Sequence, residues 1–183
     1  SRQFKDVSIV CQFLGETNET RASRSREHKG TSQVTPGGEA ISFRTLDALL
    51  VEYPAFESAR ILKIDTDGFD GKVLRGAAEF LKTVRPVLFF EFDRESLEEQ
   101  GDNGMTLLKT LGGFGYVHAI FYDNLGRLLL SLGLKEEHRL EQLYLYIKNQ
   151  RGAFSYYDIA LFHSRDEGLF EEFLAEEMKY FDQ

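Results

Sequence analysis

Acidic side chains lie at the ends of two short apolar segments, residues 60–65 and 87–92. The four carboxylates of interest are those of Asp65, Asp67, Glu91 and Asp93. Carboxylates can accept a proton, bind hydroxyl groups or hold a divalent cation. If both segments are parallel strands of one sheet, their carboxyl ends meet at one edge, which is where open α/β sheets bind ligands. The pattern therefore predicts a functional site at that edge.

Each of these residues also has a simpler explanation. Asp67-Gly68 is typical of a turn, and Asp70 would stabilise the first turn of a helix through the helix dipole. Glu91 and Asp93 are equally consistent with solvated charges at the end of a strand. Asp65-Thr66-Asp67 also matches the D-x-D pattern with which some sugar-nucleotide transferases bind a metal and a diphosphate, so that chemistry stays an alternative.

The elements that would position these residues alternate between strands and helices. The β-branched, apolar segment 7–14 predicts a buried strand, and the polar segment 16–38 predicts a long mobile loop. Further strands are predicted at 40–43, 60–65, 87–92, 116–122, 127–132 and 156–163, and helices at 46–53, 69–84, 104–111, 135–149 and 168–181.

This order predicts a single α/β domain over residues 1–183. Strand–helix alternation with apolar strands is typical of a mostly parallel sheet that is covered on both faces. The turn residues 123–126 predict a hairpin, and hence one or two antiparallel strands near one edge.

The composition of the chain argues against several classes of protein function. The chain has 183 residues, enough for one domain with a core, and its net charge of −8 disfavours nucleic-acid binding through phosphate neutralisation. The lone Cys11 excludes an internal disulfide and a cysteine-based zinc site. The sequence has no leader pattern and no apolar run of about 18 residues, so we expect a cytoplasmic protein without a membrane span. No metal is expected, and the oligomeric state is not indicated.

Residues 62–77, LKIDTDGFDGKVLRGA, resemble the L-K-I-D-x-E-G-x-E-x-x-V-L-x-G-A signature of the FkbM family of methyltransferases. Residues 41–50 and 85–93 are similar to the flanking segments of that family, and residues 7–16 to its strand ending in A-x-G-D. Asp67 and Asp70 stand where the family usually has glutamate, and Phe13 where it often has a small residue.

The resemblance implies a class I methyltransferase-like (Rossmann-like) fold, S-adenosylmethionine as cofactor, and methyl transfer to a hydroxyl group of a sugar or another small acceptor. Segment 7–14 corresponds to the third strand in the family's order 3-2-1-4-5-7-6. The resemblance therefore implies an N-terminally incomplete domain without the first two strands and the glycine-rich turn.

The resemblance also suggests roles for individual residues. Phe13, Leu14 and Asp65 would contact the cofactor, with Asp65 near its amino-acid end or the transferring methyl group. Asp67, Glu91 and Asp93 would line the acceptor side, and one of them would be the base. Two other functions remain open: a non-catalytic accessory or interaction module, and a metal-dependent sugar-nucleotide transferase that uses Asp65 and Asp67.

Overall fold

The computed structural model describes residues 7–28, 31–148 and 154–181. The strands in these ranges are Phe13–Leu14 (β1), Glu19–His28 (β2), Thr31–Pro36 (β3), Glu39–Arg44 (β4), Ile61–Ile64 (β5), Val87–Phe92 (β6), Tyr116–Asp123 (β7), Leu128–Gly133 (β8) and Tyr157–His163 (β9). The α-helices are Leu46–Glu52 (α1), Asp70–Arg75 (α2), Ala78–Thr83 (α3), Arg94–Glu99 (α4), Gly104–Gly113 (α5), Glu137–Tyr146 (α6) and Glu167–Phe181 (α7). None of the helices described there has the length and apolarity needed to cross a membrane.

A five-stranded sheet with the order β5-β6-β9-β7-β8 forms the centre of the molecule. β5 and β6 are parallel, whereas β9 runs antiparallel to both β6 and β7, and β8 antiparallel to β7. The prediction of a mostly parallel sheet is therefore wrong, and the sheet is of mixed orientation. The reason is that β9 lies between two strands of the opposite direction, while the predicted hairpin, which is confirmed, adds a further antiparallel pair.

The second sheet has four strands in the order β1-β4-β2-β3. The segment 16–38, predicted to be a loop, instead contains the antiparallel strands β2 and β3. The prediction of a buried strand over 7–14 is also wrong, because only Phe13 and Leu14 pair with β4 and Ile9 is 85% exposed. Within the described residues β1 has β4 as its one neighbour, so residues 7–12 have no strand to share backbone hydrogen bonds with.

Helices cover the two faces of the central sheet unequally. Apolar side chains of α2 to α6 pack on one face, where Leu88 and Phe90 of β6 are completely buried. On the opposite face α7 packs Phe170 and Leu174 against Ile120 and other residues of β7 and β9. The α/β layering predicted from strand–helix alternation is thus present.

The helix predicted over 69–84 is divided into α2 and α3 at Gly76. A Cβ atom at Gly76 would lie 2.1 Å from the carbonyl oxygen of Gly15, so the chain after β1 passes directly over this glycine. The Gly76 carbonyl accepts a hydrogen bond from the Asp47 amide (3.0 Å). The Asp47 carboxylate accepts hydrogen bonds from the amides of Glu79 and Phe80, both at 2.9 Å. Asp47 of α1 thus supplies hydrogen-bond partners to the end of α2 and to the start of α3. These hydrogen bonds stabilise the break between the two helices.

Candidate active site

The turn between β5 and α2 has an unusual backbone. Asp67 has φ 47° and Gly68 has φ 92°, a left-handed pair that reverses the chain within two residues. A Cβ atom at Gly68 would lie 2.3 Å from the carbonyl oxygen of Ser96, so the turn packs directly on the backbone of α4. The turn is therefore held by close contact, and Asp67 is half-buried within it.

Asp70 is a buried carboxylate at the first residue of α2, with 1% of its surface exposed. Its Oδ2 accepts hydrogen bonds from the Thr66 hydroxyl (3.0 Å) and the Gly68 amide (3.2 Å). Its Oδ1 has no hydrogen-bond partner among the described residues. Burial raises the pKa of Asp70 to about 6, despite the hydrogen bond from Thr66. The Asp70 carboxyl thus stabilises the turn through these hydrogen bonds and is itself a titratable group beside it.

Glu91 is the fifth residue of β6, where strand alternation turns it away from the face that α2 to α6 cover. Its neighbours Phe90 and Phe92 are buried in the main core, whereas Glu91 is half-buried on the other face. Burial, together with the negative charges of Asp70 and Asp93, raises the pKa of Glu91 to about 8. At neutral pH the Glu91 carboxyl is therefore largely protonated.

Asp93 directly follows β6 and is the N-cap of α4. Its Oδ1 accepts hydrogen bonds from the amides of Glu95 (2.9 Å) and Ser96 (3.4 Å), and its Oδ2 accepts one from the Ser96 hydroxyl (2.8 Å). Both oxygens are engaged by the helix that they start, which is the usual task of an aspartate at this position.

Asp65 lies at the end of β5 with 61% of its side chain exposed, and its Oδ2 is 2.5 Å from Nζ of Lys63. The hydrogen bond with Asp65 raises the pKa of Lys63. In the part of the chain that the structure describes, no group of three histidine, cysteine or acidic residues is arranged to hold a metal ion. The D-x-D alternative therefore gains no support from this geometry.

Asp65 also borders a cleft of about 340 Å³ between the ends of β1 and β5. The cleft is lined by Leu14, Leu46, Leu62, Lys63, Ile64, Asp65, Thr66 and Val73. Phe13 does not line it, because its ring packs on Phe43 with the ring centroids 5.8 Å apart. The structure thus brings Leu14 and Asp65 together and leaves Phe13 outside.

Two residues at this edge, Tyr156 and Asp158, were missed by sequence reasoning. Because β9 is antiparallel to β6, the start of β9 lies where β6 ends, and Asp158 is the register partner of Glu91. Burial and the charge of Asp65 raise the pKa of Asp158, and burial followed by the charges of Glu91 and Asp158 raises that of Tyr156. The predicted strand 156–163 contained the signal for these two residues. An antiparallel strand brings its start, and not its end, to the edge where β6 ends.

His163 ends β9 and therefore lies at the opposite edge of the sheet. It is buried, and its Nδ1 accepts a hydrogen bond from the Arg165 amide (3.1 Å). Burial and the nearby cations Arg85 and Arg165 lower its pKa. This histidine is a neutral structural group that holds the chain as it leaves β9.

Comparison with known families shows which protein family the chain belongs to. Residues 10–121, more than half of the chain, match the methyltransferase FkbM domain. The chain belongs to the FkbM methyltransferase family. No curated protein and no solved structure matches it. The FkbM match includes the β5–α2 turn, Glu91 and Asp93, whereas Tyr156 and Asp158 lie beyond it.

Proposed function

We propose that this FkbM-family chain transfers a methyl group from S-adenosylmethionine to a hydroxyl group of a small acceptor such as a saccharide. The observation that carries the proposal is a family match that coincides with a carboxylate-lined edge and an adjoining cleft. The strand order β5-β6-β9-β7, with β9 reversed, also corresponds to the 4-5-7-6 part of the order expected for class I methyltransferases.

The cleft beside Asp65 suits the proposed cofactor chemically. Its walls are apolar, from Leu14, Leu62 and Val73, and it is also lined by Thr66 and by the ion pair of Lys63 and Asp65. S-adenosylmethionine, when bound, supplies an electrophilic methyl group on a positively charged sulfonium. The Asp65 carboxylate would stabilise such a cation, and the apolar walls would exclude water from it.

The acceptor side is assigned to Asp67 and Glu91, with Asp93 holding α4 in place beside them. A hydroxyl acceptor has to be positioned about 3 Å from the methyl carbon and has to lose its proton. Glu91 is half-buried, and its carboxyl has no competing hydrogen bond to a cap or turn among those described, unlike Asp93 and Asp70. Glu91 is therefore the best placed of these residues to take that proton.

Titration calorimetry of the full chain with S-adenosylmethionine tests the proposal. We expect binding, and we expect Asp65→Asn to weaken it at least tenfold with an unchanged melting temperature. The matched control is Glu172→Gln, which removes an exposed acidic charge on α7 and should bind like the parent.

Two other results would contradict the proposal. Binding of a nucleotide sugar with Mn²⁺ in place of S-adenosylmethionine would favour a sugar-nucleotide transferase. Binding of neither ligand would favour an accessory module.

A further inference from the structure

Glu91 and Asp158 face each other across two antiparallel strands. The β6–β9 register places them directly opposite, and residues paired in this way lie on the same face of a sheet with Cβ atoms about 4.5–5.5 Å apart. Ile64 pairs with Phe90, so extending the β5–β6 register by one residue brings Asp65 level with Glu91. Three carboxylates therefore form a row across three strands.

The groups around this pair are mainly acidic. Lys63 lies in β5 and Asp65 directly follows it, the turn and α2 contribute Asp67 and Asp70, and Asp93 follows β6. The remaining titratable neighbours are Tyr156 at the start of β9, Tyr122 opposite Asp158 on β7, and Glu177 of α7, which acts on Tyr122. Lys63 lowers the pKa of Asp158, but its ammonium group is already bound to Asp65. Two like charges directly opposite each other would be costly in these surroundings.

We propose that Glu91 and Asp158 titrate as a coupled pair, in which the ionised Glu91 takes the hydroxyl proton of the acceptor and Asp158 sets the proton affinity of Glu91. Glu91 is thus the catalytic residue of the pair and Asp158 a positioning residue; this assignment rests on the proposed function. In the step, the acceptor O–H bond breaks and its proton passes to the Glu91 carboxylate. The oxygen bonds to the methyl carbon as the carbon–sulfur bond breaks, and the electron pair of that bond stays on sulfur, which becomes a neutral thioether.

Both carboxyls of the pair have raised proton affinities. Burial raises the pKa of Glu91 to about 8 and raises that of Asp158 as well. A base with this pKa is active in its ionised form, so methyl transfer should increase with pH through about 8. Since coupled groups titrate as a unit, removing one charge should lower the pKa of the other.

Carbon-13 NMR titration of the side-chain carboxyls in the full chain, without cofactor, tests the pairing directly. In Asp158→Asn we expect the apparent pKa of Glu91 to fall by at least one unit. Asp158→Glu keeps the charge and should restore the high value, and Glu172→Gln should leave it unchanged. In methyl-transfer assays the pH profile of kcat should shift by the same amount in Asp158→Asn, and Glu91→Gln should abolish transfer while cofactor binding remains.

The outcomes separate this inference from the proposed function. An unchanged Glu91 titration in Asp158→Asn would overturn the pairing. A shifted titration with an unshifted kcat profile would overturn the role of Glu91 as base while methyl transfer itself stands. If the parent chain neither binds S-adenosylmethionine nor transfers a methyl group, yet the two carboxyls titrate together, the proposed function and the base role fail and the coupled pair remains.

Discussion

Asp93 and Glu91 are two residues apart on the same strand end, yet their hydrogen bonds give them different tasks. Asp93 directs both carboxylate oxygens to the start of α4, at Glu95 and Ser96. Glu91 faces Asp158 across the sheet instead. The presence of an acidic residue therefore does not distinguish a helix cap from a proton acceptor. Both roles need a carboxylate, and they differ only in which hydrogen-bond donors surround it.

The capping role predicts a specific pattern of stabilities at Asp93. Asp93→Ala should lower the free energy of unfolding by about 1 kcal/mol, because the first amides of α4 lose their acceptor. Asp93→Ser should retain most of the stability, since serine also caps helices well. Urea denaturation of the two variants checks this. Equal destabilisation by alanine and serine would contradict the capping role, and lost methyl transfer in a fully stable Asp93→Ser would point to chemistry at this residue.

The β5–α2 turn is the element on which the site geometry depends most. It combines the left-handed residues Asp67 and Gly68 with direct contact between Gly68 and the backbone of α4 at Ser96. The buried Asp70 closes the turn from the other side by accepting the Gly68 amide. The turn therefore couples the position of Asp65 and Asp67 to that of α4, and through α4 to Asp93.

Replacing the turn glycine tests this contact. Gly68 and Gly101 both have positive φ, 92° and 79°, but a Cβ atom at Gly101 meets nothing within 4 Å. Gly101→Ala should therefore cost only the backbone strain of about 1–2 kcal/mol. Gly68→Ala should cost about 1–3 kcal/mol more, because backbone atoms of α4 have to move. Denaturation midpoints of the two variants give the comparison. Equal losses of stability would contradict the prediction, because they would show that the backbone of α4 moves away from the added Cβ atom without a free-energy penalty.

At the scale of the whole molecule, the two sheets differ in how much core they have. The five-stranded sheet is packed between α2 to α6 on one face and α7 on the other. The four-stranded sheet contributes Phe43, which stacks on Phe69 with ring centroids 6.2 Å apart and forms a small separate cluster with it. Arg75 links this region to the rest of the molecule, with Glu16 at 2.6 Å and Asp102 at 2.8 Å. Most of the stability should therefore come from the five-stranded sheet, which also carries the acidic site.

The buried carboxyls predict how the stability of the whole molecule varies with pH. Folding raises the pKa of Asp70 from 3.8 to about 6 and that of Glu91 from 4.5 to about 8. The folded state thus binds more protons than the unfolded state between about pH 4 and 8. The stabilisation from these groups is complete below the unfolded pKa values and is lost as pH rises through the folded ones.

We therefore expect the free energy of unfolding to decrease from about pH 5 to pH 8. The decrease in the free energy of unfolding is at most about 1.4 kcal/mol for each unit by which folding raises a pKa. Solvent screening makes the contribution of the half-buried Glu91 smaller than this limit. Glu91→Gln should flatten the upper part of this decrease, between about pH 6 and 8, and Glu172→Gln should not. Chemical denaturation at several pH values measures both. A stability that increases over this range, or an unchanged slope in Glu91→Gln, would contradict the prediction.

Much of the local structure could be predicted from the sequence, because its determinants lie within a few residues of one another. Thr45 caps α1 by accepting the Ala48 amide, as its residue type and position indicate. The apolar pattern of 87–92 coincides with β6, and the turn at 123–126 forms the β7–β8 hairpin. The signature at 62–77 was sufficient to indicate the FkbM family, which the family match confirms.

Features that depend on distant parts of the chain follow from the tertiary packing. The break at Gly76 exists because Gly15 and Asp47 approach it from other elements. The direction of β9 is set by its pairing with β6 and β7, and that direction brings Asp158 to Glu91 and places His163 at the opposite edge of the sheet. Residue types therefore determined which carboxylates were available for chemistry. Strand pairing determined which of them meet, because register and direction follow from which strands share hydrogen bonds and a common core.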